Sequence, residues 1–577
     1  MPIGIAALTL MLGTQMAVAA TAQHCPGFEK GQHQVYWGDL HIHTSFSLDA
    51  YAFGLRSDPG DAFAFAKGQE LLLADGNTLA KLERPLDFAA VTDHADFFNV
   101  MYVCTDPEYS DHQWCSGLRS VSTTSAERRG FIEYLVPLLA EEVPIEAPFC
   151  ADLNLDCKAL RKPNWVRAQH FANQANAPCD FTALVANEWT ATPNFQHWHR
   201  NIVFASDSVT EHPINYTDQT SPEQMWEALE RECRIEDGCD VVAIPHNMNL
   251  AEGGGFDVET ASMRSRTLRA RYERLAEIHQ TKGNSECLAE YGKDGAGDCD
   301  YERMLISREW VKKGGYEKMP EDVWNQFRQS YYRTVLGRGL AAYQETGFNP
   351  LQLGAMASTD QHMALAGYVS EEKYYGGHGY DIPPAIRFKL RPDENPGGLI
   401  GVWAEENTRA SIFAALKERR VYGTSGPRIT VEFSATFDRD GDPCSSVFDG
   451  ETAALMGGEL KATKHGKPKF IVNALKDRWP LARVDIVRGV MKNGEVSETV
   501  KSFPSPNPQG QGGMCVTWED QTYDANLPAY WYARVLEMPS KRWSAWDCAR
   551  AELCETYAKY DVMQQERAWA SPIWNHP

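Results

Sequence analysis

Short apolar runs that end in histidine, aspartate or glutamate recur between residue 35 and about residue 365 of this chain. Such runs are typical of strands buried on both faces of a parallel sheet, and the segments between them have helical composition. The predicted strands are 35–40, 86–94, 181–186, 201–205, 241–247, 275–279 and 354–362, and the predicted helices are 61–80, 126–139, 222–234, 261–273, 301–313 and 320–345. This alternation predicts an α/β fold with a barrel-like arrangement of strands.

The sequence pattern changes near residue 430. Apolar and polar residues then alternate with a period near two, between turns rich in Gly, Pro and Asp, in 429–433, 469–474, 482–488 and 530–537. This pattern predicts an antiparallel, β-sandwich-like region. Since 577 residues are too many for one core of ordinary size, we expect a first domain over 30–428 and a β-rich domain over 429–577 packed on it. Residues 104–178 hold four cysteines and are predicted to form a disulfide-bearing insertion.

The N-terminus and the cysteines predict export to the periplasm or the medium. Residues 3–16 are largely apolar and are followed by an A-x-A site, so 1–22 resembles a secretory signal peptide, although no Lys or Arg precedes the apolar stretch. The 14 cysteines fit an oxidising compartment. The pairs closest in sequence are Cys104 and Cys115, Cys150 and Cys157, Cys233 and Cys239, Cys287 and Cys299, and Cys548 and Cys554. We expect these to form disulfides, although sequence alone leaves the connectivity open.

The charge of the chain restricts its partners. A formal net charge of −22 argues against nucleic acid or an anionic membrane, because a polyanion would be repelled. A small anionic substrate stays compatible, since bound metal ions invert the local field. No segment predicts a transmembrane span, and nothing in the sequence predicts the oligomeric state.

The predicted strand ends carry residues that bind metals. Because the carboxyl ends of parallel strands meet at one edge of a sheet, we expect these side chains to converge. They are His41, His43, Asp49, Asp93, His94, Glu188, His197 or His199, His246, Asp360 and His362. Imidazole with carboxylate is a ligand set for zinc, manganese or iron, and closely spaced ions can clamp a phosphoryl group and supply a hydroxide nucleophile.

Each motif alone also has a structural explanation. The two histidines of G-D-L-H-I-H-T at 38–44 lie on one face of a strand and could be hydrogen-bonded there without a metal. The T-D-H motif could be a capping aspartate beside a surface histidine, N-E-W-T a helix start and P-H-N a turn. Five separate apolar segments with such ends together indicate a metal centre.

In their order, H-I-H-T with S-x-D-A, T-D-H, a strand-end Glu, P-H-N and D-x-H resemble the PHP (polymerase and histidinol phosphatase) superfamily over residues 35–365. The resemblance implies a distorted (β/α)7 barrel with two or three divalent ions, Mn or Zn first and Fe as a further option. It implies three sites, with Glu188 as the bridge between the first two. The first has His41, His43 and Asp360, the second His199 and His246, and the third Asp49, His94 and His362. The residue that orients a ligand histidine is Asp93.

Two further segments carry the resemblance to the C-terminus. L-K-E-R-R-V-Y-G-T-S-G-P-R at 416–428 is similar to exported PHP hydrolases of the carbaryl-hydrolase type, and E-R-A-W-A-S-P-I-W at 566–574 to the domain of unknown function 3604 family. Together they imply an exported hydrolase of phosphate or sulfate esters, aryl esters included, acting on a small molecule. A carbamate or carboxylic ester hydrolase on the same centre, and a non-catalytic metal-containing binding protein, stay open.

Residues beside the predicted ligands are candidates for substrate contacts. Trp189 and His197 could stack on an aromatic leaving group or pack the barrel mouth. Arg200, Asn247 and Arg428 could hold an anionic ester oxygen or pair structurally. His279, at another predicted strand end, could donate a proton to the leaving group or be structural.

Overall fold

The computed structural model describes residues 24–106, 149–291, 297–304, 319–377, 393–437, 453–461, 466–555 and 562–577, with residues 108, 109, 111, 112, 115, 116, 118 and 444. The predicted signal peptide, the predicted helix 126–139 and most of the predicted helix 301–313 lie outside these residues.

Several helices begin at a residue whose side chain caps the first turn. Ser221, Ser262 and Thr408 each accept a backbone N–H from the residue three positions on, which caps the helix that follows. The helices are α1 (Leu48–Ala52), α2 (Pro59–Ala66), α3 (Phe98–Thr105), α4 (Phe149–Asp152), α5 (Arg161–Ala175), α6 (Pro222–Glu232), α7 (Met263–Tyr272), α8 (Glu321–Arg328), α9 (Tyr332–Thr346), α10 (Arg409–Lys417) and α11 (Trp543–Arg550).

The predicted strands all appear, and short additional ones separate them. The strands are β1 (Gln34–Asp39), β2 (Leu71–Leu72), β3 (Leu79–Ala80), β4 (Phe88–Ala90), β5 (Thr182–Leu184), β6 (Ala186–Trp189), β7 (Arg200–Phe204), β8 (Val241–Pro245), β9 (Leu275–Gln280), β10 (Gly283–Asn284), β11 (Gly354–Ala357), β12 (Leu399–Ala404), β13 (Val421–Thr424), β14 (Thr430–Thr436), β15 (Ala453–Leu455), β16 (Lys469–Leu475), β17 (Leu481–Lys492), β18 (Glu495–Pro504), β19 (Gly513–Glu519), β20 (Ala529–Glu537), β21 (Ser540–Lys541), β22 (Met563–Gln564), β23 (Arg567–Ala570) and β24 (Ile573–Asn575).

A ten-stranded mixed sheet links the two halves of the chain. Its order is β18-β17-β20-β23-β13-β12-β1-β4-β5, with β24 paired to β20. Within it β1, β4 and β5 are parallel, with Gly38 opposite Phe88 and Phe88 opposite Thr182, whereas β12 runs antiparallel to β1. Because β1 and β4 run parallel, their C-terminal ends lie at the same edge of the sheet.

Two smaller sheets complete the surroundings of that edge. One is the antiparallel sheet β6-β7-β8, and the other is β10-β9-β11, in which β9 and β11 are parallel. Only Val185 separates β5 from β6, and the backbone N–H of Asp360 donates to the carbonyl of His41 at 2.9 Å. The ends of all three sheets thus come together.

The described strands do not close into the parallel barrel that the resemblance implied. The mixed α/β fold with large sheets is confirmed, but β6, β7 and β8 are antiparallel. Residues 190–199, between β6 and β7, are too few for a helical crossover, so the chain turns back beside the strand it has just left.

The C-terminal strands are antiparallel, as their alternation predicts. Four form the sheet β15-β14-β16-β19, while β17, β18 and β20 belong to the ten-stranded sheet. The two sheets pack together where the ring of Phe470 lies 4.9 Å from that of Trp531. One sheet of the C-terminal region therefore continues into the first half of the chain through β23 and β13.

Two predicted helices are wrong in extent. The helix predicted over 61–80 ends at Ala66, because Gly68, with φ of 90°, turns the chain out of the helix and into the hairpin β2-β3. The helix predicted over 320–345 is divided into α8 and α9 by residues 329–331. Within the described ranges, no helix has the length and apolar character that a bilayer span requires.

Seven disulfides account for all 14 cysteines. The five predicted short-range pairs are confirmed. The other two, Cys25–Cys179 and Cys444–Cys515, join residues 154 and 71 positions apart. A chain with this many disulfides is typical of an extracytoplasmic protein.

Candidate metal centre

His41 and His43 lie just beyond β1, with both imidazoles buried. Gly38 lets the chain approach the Phe88 ring, since a Cβ there would come within 2.3 Å of it. The outer nitrogen of each imidazole is held by the protein. Nδ1 of His41 lies 3.0 Å from the Glu277 carboxylate, and Nδ1 of His43 lies 2.9 Å from Oγ of Ser47. A ring that donates from Nδ1 presents the lone pair of Nε2, which is how protein partners orient ligand histidines.

Glu188 in β6 lies among five histidines. Its Oε2 is 3.5 Å from Nε2 of His41, 3.4 Å from Nε2 of His43 and 3.2 Å from Nδ1 of His94. Its Oε1 is 2.8 Å from Nδ1 of His199 and 3.3 Å from Nε2 of His246. The two oxygens therefore face two different groups of imidazoles, which is the geometry of a bridging carboxylate.

Asp360 joins the first group from the segment after β11. Its Oδ1 lies 3.2 Å from Nε2 of His41 and 3.1 Å from Nε2 of His43. Its backbone is left-handed, with φ of 55°, a conformation that costs an aspartate some free energy. The buried carboxylate of Asp39 supports it by accepting bonds from the backbone N–H and hydroxyl of Thr359 at 3.1 and 2.6 Å.

A third group lies around Asp49. The two oxygens of this carboxylate are 3.5 Å from Nε2 of His94 and 3.0 Å from Nε2 of His362. Unlike the deeper ligands, the Asp49 side chain is 27 % exposed and that of His94 is 10 % exposed. This side of the cluster therefore reaches solvent.

The cluster fits divalent metal ions. Nε2 of His41, Nε2 of His43, Oε2 of Glu188 and Oδ1 of Asp360 are buried and have no hydrogen-bond partner within the described part of the chain. Leaving four such atoms unsatisfied is costly unless something else binds them. Three overlapping triads have ligand atoms within 4.8 Å of one another: His41 with His43 and Asp360, His41 with Glu188 and His246, and His43 with His94 and His362. Nitrogen and carboxylate donors suit zinc, manganese or iron.

The charges of the cluster also favour a cation. Burial alone would raise the pKa of Glu188, but His94 and His246 hold that pKa well below its usual range. Burial lowers the pKa of His41, yet Asp360 and Glu277 raise it to about 10. The carboxylates are therefore ionised, and a metal that binds His41 must displace a proton from it.

Three other predicted residues lie beside the cluster. Asp93 accepts hydrogen bonds from Thr44 and from Oγ of Ser47 at 2.6 Å, so it orients His43 through Ser47. The imidazole of His197 stacks on that of His199, with centroids 4.8 Å apart, and it is His199 that contacts Glu188. Asn247, next to His246, accepts a hydrogen bond from Gln280.

The remaining predicted residues have structural partners instead. Arg200 is buried and binds Glu273 at 2.9 Å, and the indole of Trp189 donates to the carbonyl of Gln219 at 2.9 Å. These contacts do not support a role for either in binding substrate.

His279 is buried against Tyr301 and Trp569, with centroids 5.7 and 5.5 Å away. Burial and Arg567 lower its pKa to about 3, which argues against proton donation. Arg428 binds the carbonyls of Arg84 and Pro85, and lines a surface pocket of about 440 Å³ that includes no ligand of the cluster.

Sequence reasoning missed three residues that contact ligands. Glu277 lies two residues before His279 on β9, so the period-two rule that paired His41 with His43 could have drawn attention to it. Ser47 lies four residues after His43, in the S-x-D-A motif. Lys282, whose Nζ pairs with Oδ2 of Asp360, gave no signal beyond its position after a strand. Burial lowers the pKa of Lys282, but Asp360 and Glu188 raise it above its usual value, so the side chain is a cation.

Comparison with known proteins gives a family. A family profile described as protein of unknown function (DUF3604) matches residues 30–507 and 503–577. No curated protein matches the chain. One solved structure, of a two-domain protein containing a predicted PHP-like metal-dependent phosphoesterase from Bacteroides vulgatus ATCC 8482, is similar over 88 % of this chain and 94 % of its own, with 10 % identity and a TM-score of 0.29.

Proposed function

This chain belongs to the DUF3604 family, and we propose that it is an exported metal-dependent hydrolase of phosphate or sulfate esters that uses two or three divalent ions. The observation that carries the proposal is the set of buried ligand atoms around Glu188, which face one another without hydrogen-bond partners in the described residues. Nδ1 of His41 is already held by Glu277 and Nδ1 of His43 by Ser47, so both imidazoles are oriented before any ion binds.

The accessibility of the cluster favours catalysis over a purely structural site. Structural metal sites saturate their ions with protein ligands, whereas catalytic sites keep a position for water or substrate. Here the ligands of the first group are almost fully buried, while Asp49 and Lys282 keep 27 % and 18 % of their side chains exposed. Substrate would enter where these partly exposed residues let the cluster reach solvent.

Each residue of the centre has a role that follows from its contacts. Divalent ions bound there would supply Lewis acidity and an activated nucleophile for attack on tetrahedral phosphorus or sulfur. Glu188 would contribute carboxylate oxygens to the ions, since Oε2 faces His41 and His43 while Oε1 faces His199 and His246. His41 and His43 would be kept in one tautomer by Glu277 and by Ser47 with Asp93. Because these hydrogen bonds fix the imidazoles in advance, the ligands would need little rearrangement when substrate binds.

The proposal is tested by metal analysis with an ester panel. The full disulfide-bonded chain is stripped with a chelator, reloaded separately with Mn²⁺, Zn²⁺ or Fe²⁺, and analysed for metal per protein. Para-nitrophenyl sulfate, phosphate monoester, phosphate diester, carbamate and acetate are then compared. We expect two or three ions per chain and turnover of the phosphate or sulfate esters.

Other outcomes have definite meanings. Preferential turnover of the carbamate or acetate would replace the proposal with a neutral-ester hydrolase. Two or more tightly bound ions with no turnover of any ester would favour a binding protein. Failure to bind divalent ions would remove the basis of the proposal altogether.

A further inference from the structure

Lys282 brings a positive charge to the edge of the metal centre. Its ammonium pairs with Oδ2 of Asp360, while Oδ1 of the same carboxylate faces His41 and His43. The two oxygens of Asp360 thus contact different groups, and Lys282 does not compete for Oδ1, which faces the imidazoles. Like Asp49, Lys282 keeps part of its side chain exposed, 18 % against 27 %.

The backbone of Lys282 is held rigidly by neighbouring side chains. Its N–H donates to Oε1 of Gln280 at 2.6 Å, and its carbonyl accepts from Nδ2 of Asn249 at 3.0 Å. The N–H of Thr281, one residue earlier, donates to the carbonyl of Thr359 at 3.1 Å. A lysine needed only as a solvated surface charge would gain nothing from this, whereas a group that binds substrate gains from being fixed in advance.

The ammonium has donors to spare. A lysine carries three N–H donors, and Oδ2 of Asp360 is the one hydrogen-bond acceptor that it has within the described residues. The same Gln280 side chain also donates to Asn247, whose Nδ2 is buried and has no hydrogen-bond partner in the described ranges. Unused donors therefore lie beside two candidate metal ligands, that of Lys282 beside Asp360 and that of Asn247 beside His246.

We propose that Lys282 binds a non-bridging oxygen of the substrate, so that the centre selects tetrahedral oxyanion esters over neutral esters and carbamates. This inference rests on the proposed function and specifies its substrate class. An ammonium in a partly desolvated site forms a strong hydrogen bond with an anionic oxygen. A neutral carboxylic ester or carbamate offers no ground-state charge to pair with it.

The first test measures binding and does not depend on turnover. Inorganic phosphate and sulfate are titrated calorimetrically into the metal-loaded full chain, as wild type and as the variants Lys282→Met and Lys282→Arg. The matched control is Lys417→Met. Lys417 pairs with Asp240 at 2.9 Å, and this pair lies away from the metal centre. We expect Lys282→Met to keep its metal content and to weaken oxyanion binding by about tenfold to a hundredfold. Lys282→Arg should lose much less, and Lys417→Met nothing.

Two results of the titration would overturn the inference. One is wild-type phosphate affinity in a folded, metal-loaded Lys282→Met. The other is loss of metal from both Lys282→Met and Lys282→Arg, which would show that the lysine serves to hold Asp360 in place. If only Lys282→Met fails to fold, Lys282→Gln takes its place in the same titration.

The second test uses substrates with one leaving group and different charge. We expect Lys282→Met to lower kcat/KM for para-nitrophenyl phosphate or sulfate far more than for para-nitrophenyl acetate. Equal losses on both would contradict the inference. A wild-type protein that cleaves no ester would refute the proposed function, while the phosphate titration would still decide whether Lys282 binds oxyanions.

Discussion

Two buried glutamates of this protein, Glu188 and Glu286, lie in opposite kinds of charge cluster. Both are fully buried. Glu286 accepts from Arg333 and Tyr532 at 2.6 Å each through Oε1, from the indole of Trp569 at 2.7 Å through Oε2, and from Arg534 through both oxygens. Glu188 is surrounded by imidazoles, and its Oε2 has no hydrogen-bond partner in the described residues.

The contrast separates structure from function. Arginine cannot lose its proton, so a carboxylate among arginines is neutralised permanently and its geometry is saturated. Histidines become neutral ligands once a cation replaces their protons, so a carboxylate among histidines is completed by an ion from outside. Burial and charge alone therefore do not separate the two clusters, whereas the unsatisfied, convergent ligand atoms around Glu188 support the proposed metal site.

The largest expected effect comes from removing the charge of Glu188. Glu188→Gln keeps the size of the side chain but replaces one oxygen of the bridge with an amide nitrogen, which binds metal poorly. We expect kcat/KM to fall by about 1,000-fold or more and the metal content to drop, while the fold persists. Metal analysis, kinetics and circular dichroism check this. Glu432→Gln, at a half-buried carboxylate near Asn473, is the control, and full activity in Glu188→Gln would refute the bridging role.

The same substitution at Glu286 should have the opposite consequences. Glu286→Gln leaves the buried Arg534 and the partly exposed Arg333 with weaker acceptors, so we expect the free energy of unfolding to fall by about 3–5 kcal/mol. Metal content and oxyanion affinity should not change. Denaturant titration and metal analysis of one preparation check both halves, and loss of metal from this variant would erase the distinction between the clusters.

Glu537 sharpens the comparison, since it is a buried carboxylate to which no arginine or histidine of the described residues is bonded. It accepts from the backbone N–H of Asp477 at 2.9 Å, and burial raises its pKa to about 7. Because the folded state holds this proton more tightly, the contribution to stability is present at low pH and is lost as the pH rises through about 7. Glu537→Gln should therefore match the wild type near pH 5 and exceed it by about 2–3 kcal/mol near pH 8. The same difference in free energy of unfolding between variant and wild type at both pH values would contradict this.

Much of this arrangement can be predicted from local sequence. Period-two spacing predicts that His41 and His43 point to the same side just beyond β1, and apolar runs place Glu188 and His246 at strand ends. The contact between His41 and Glu277 joins residues 236 positions apart, and local pattern carries no information about which strands become neighbours. Strand direction is missing for a related reason, since a run buried on both faces looks the same in parallel and antiparallel sheets.

The smallest predicted effect concerns the group that orients His43. Oγ of Ser47 donates its one proton to Asp93 at 2.6 Å, so it must accept from Nδ1 of His43, and this fixes the tautomer in which Nε2 is free to bind metal. Ser47→Ala removes that acceptor, so we expect metal affinity to fall by about tenfold to a hundredfold without loss of fold. Ser425→Ala removes a similar buried bond to Glu566, also 2.6 Å long, and should leave metal affinity unchanged. Equal metal affinity in the two variants would show that packing alone holds His43. The hydrogen bond between His43 and Ser47 would then not be a feature that sets the Glu188 cluster apart from the Glu286 cluster.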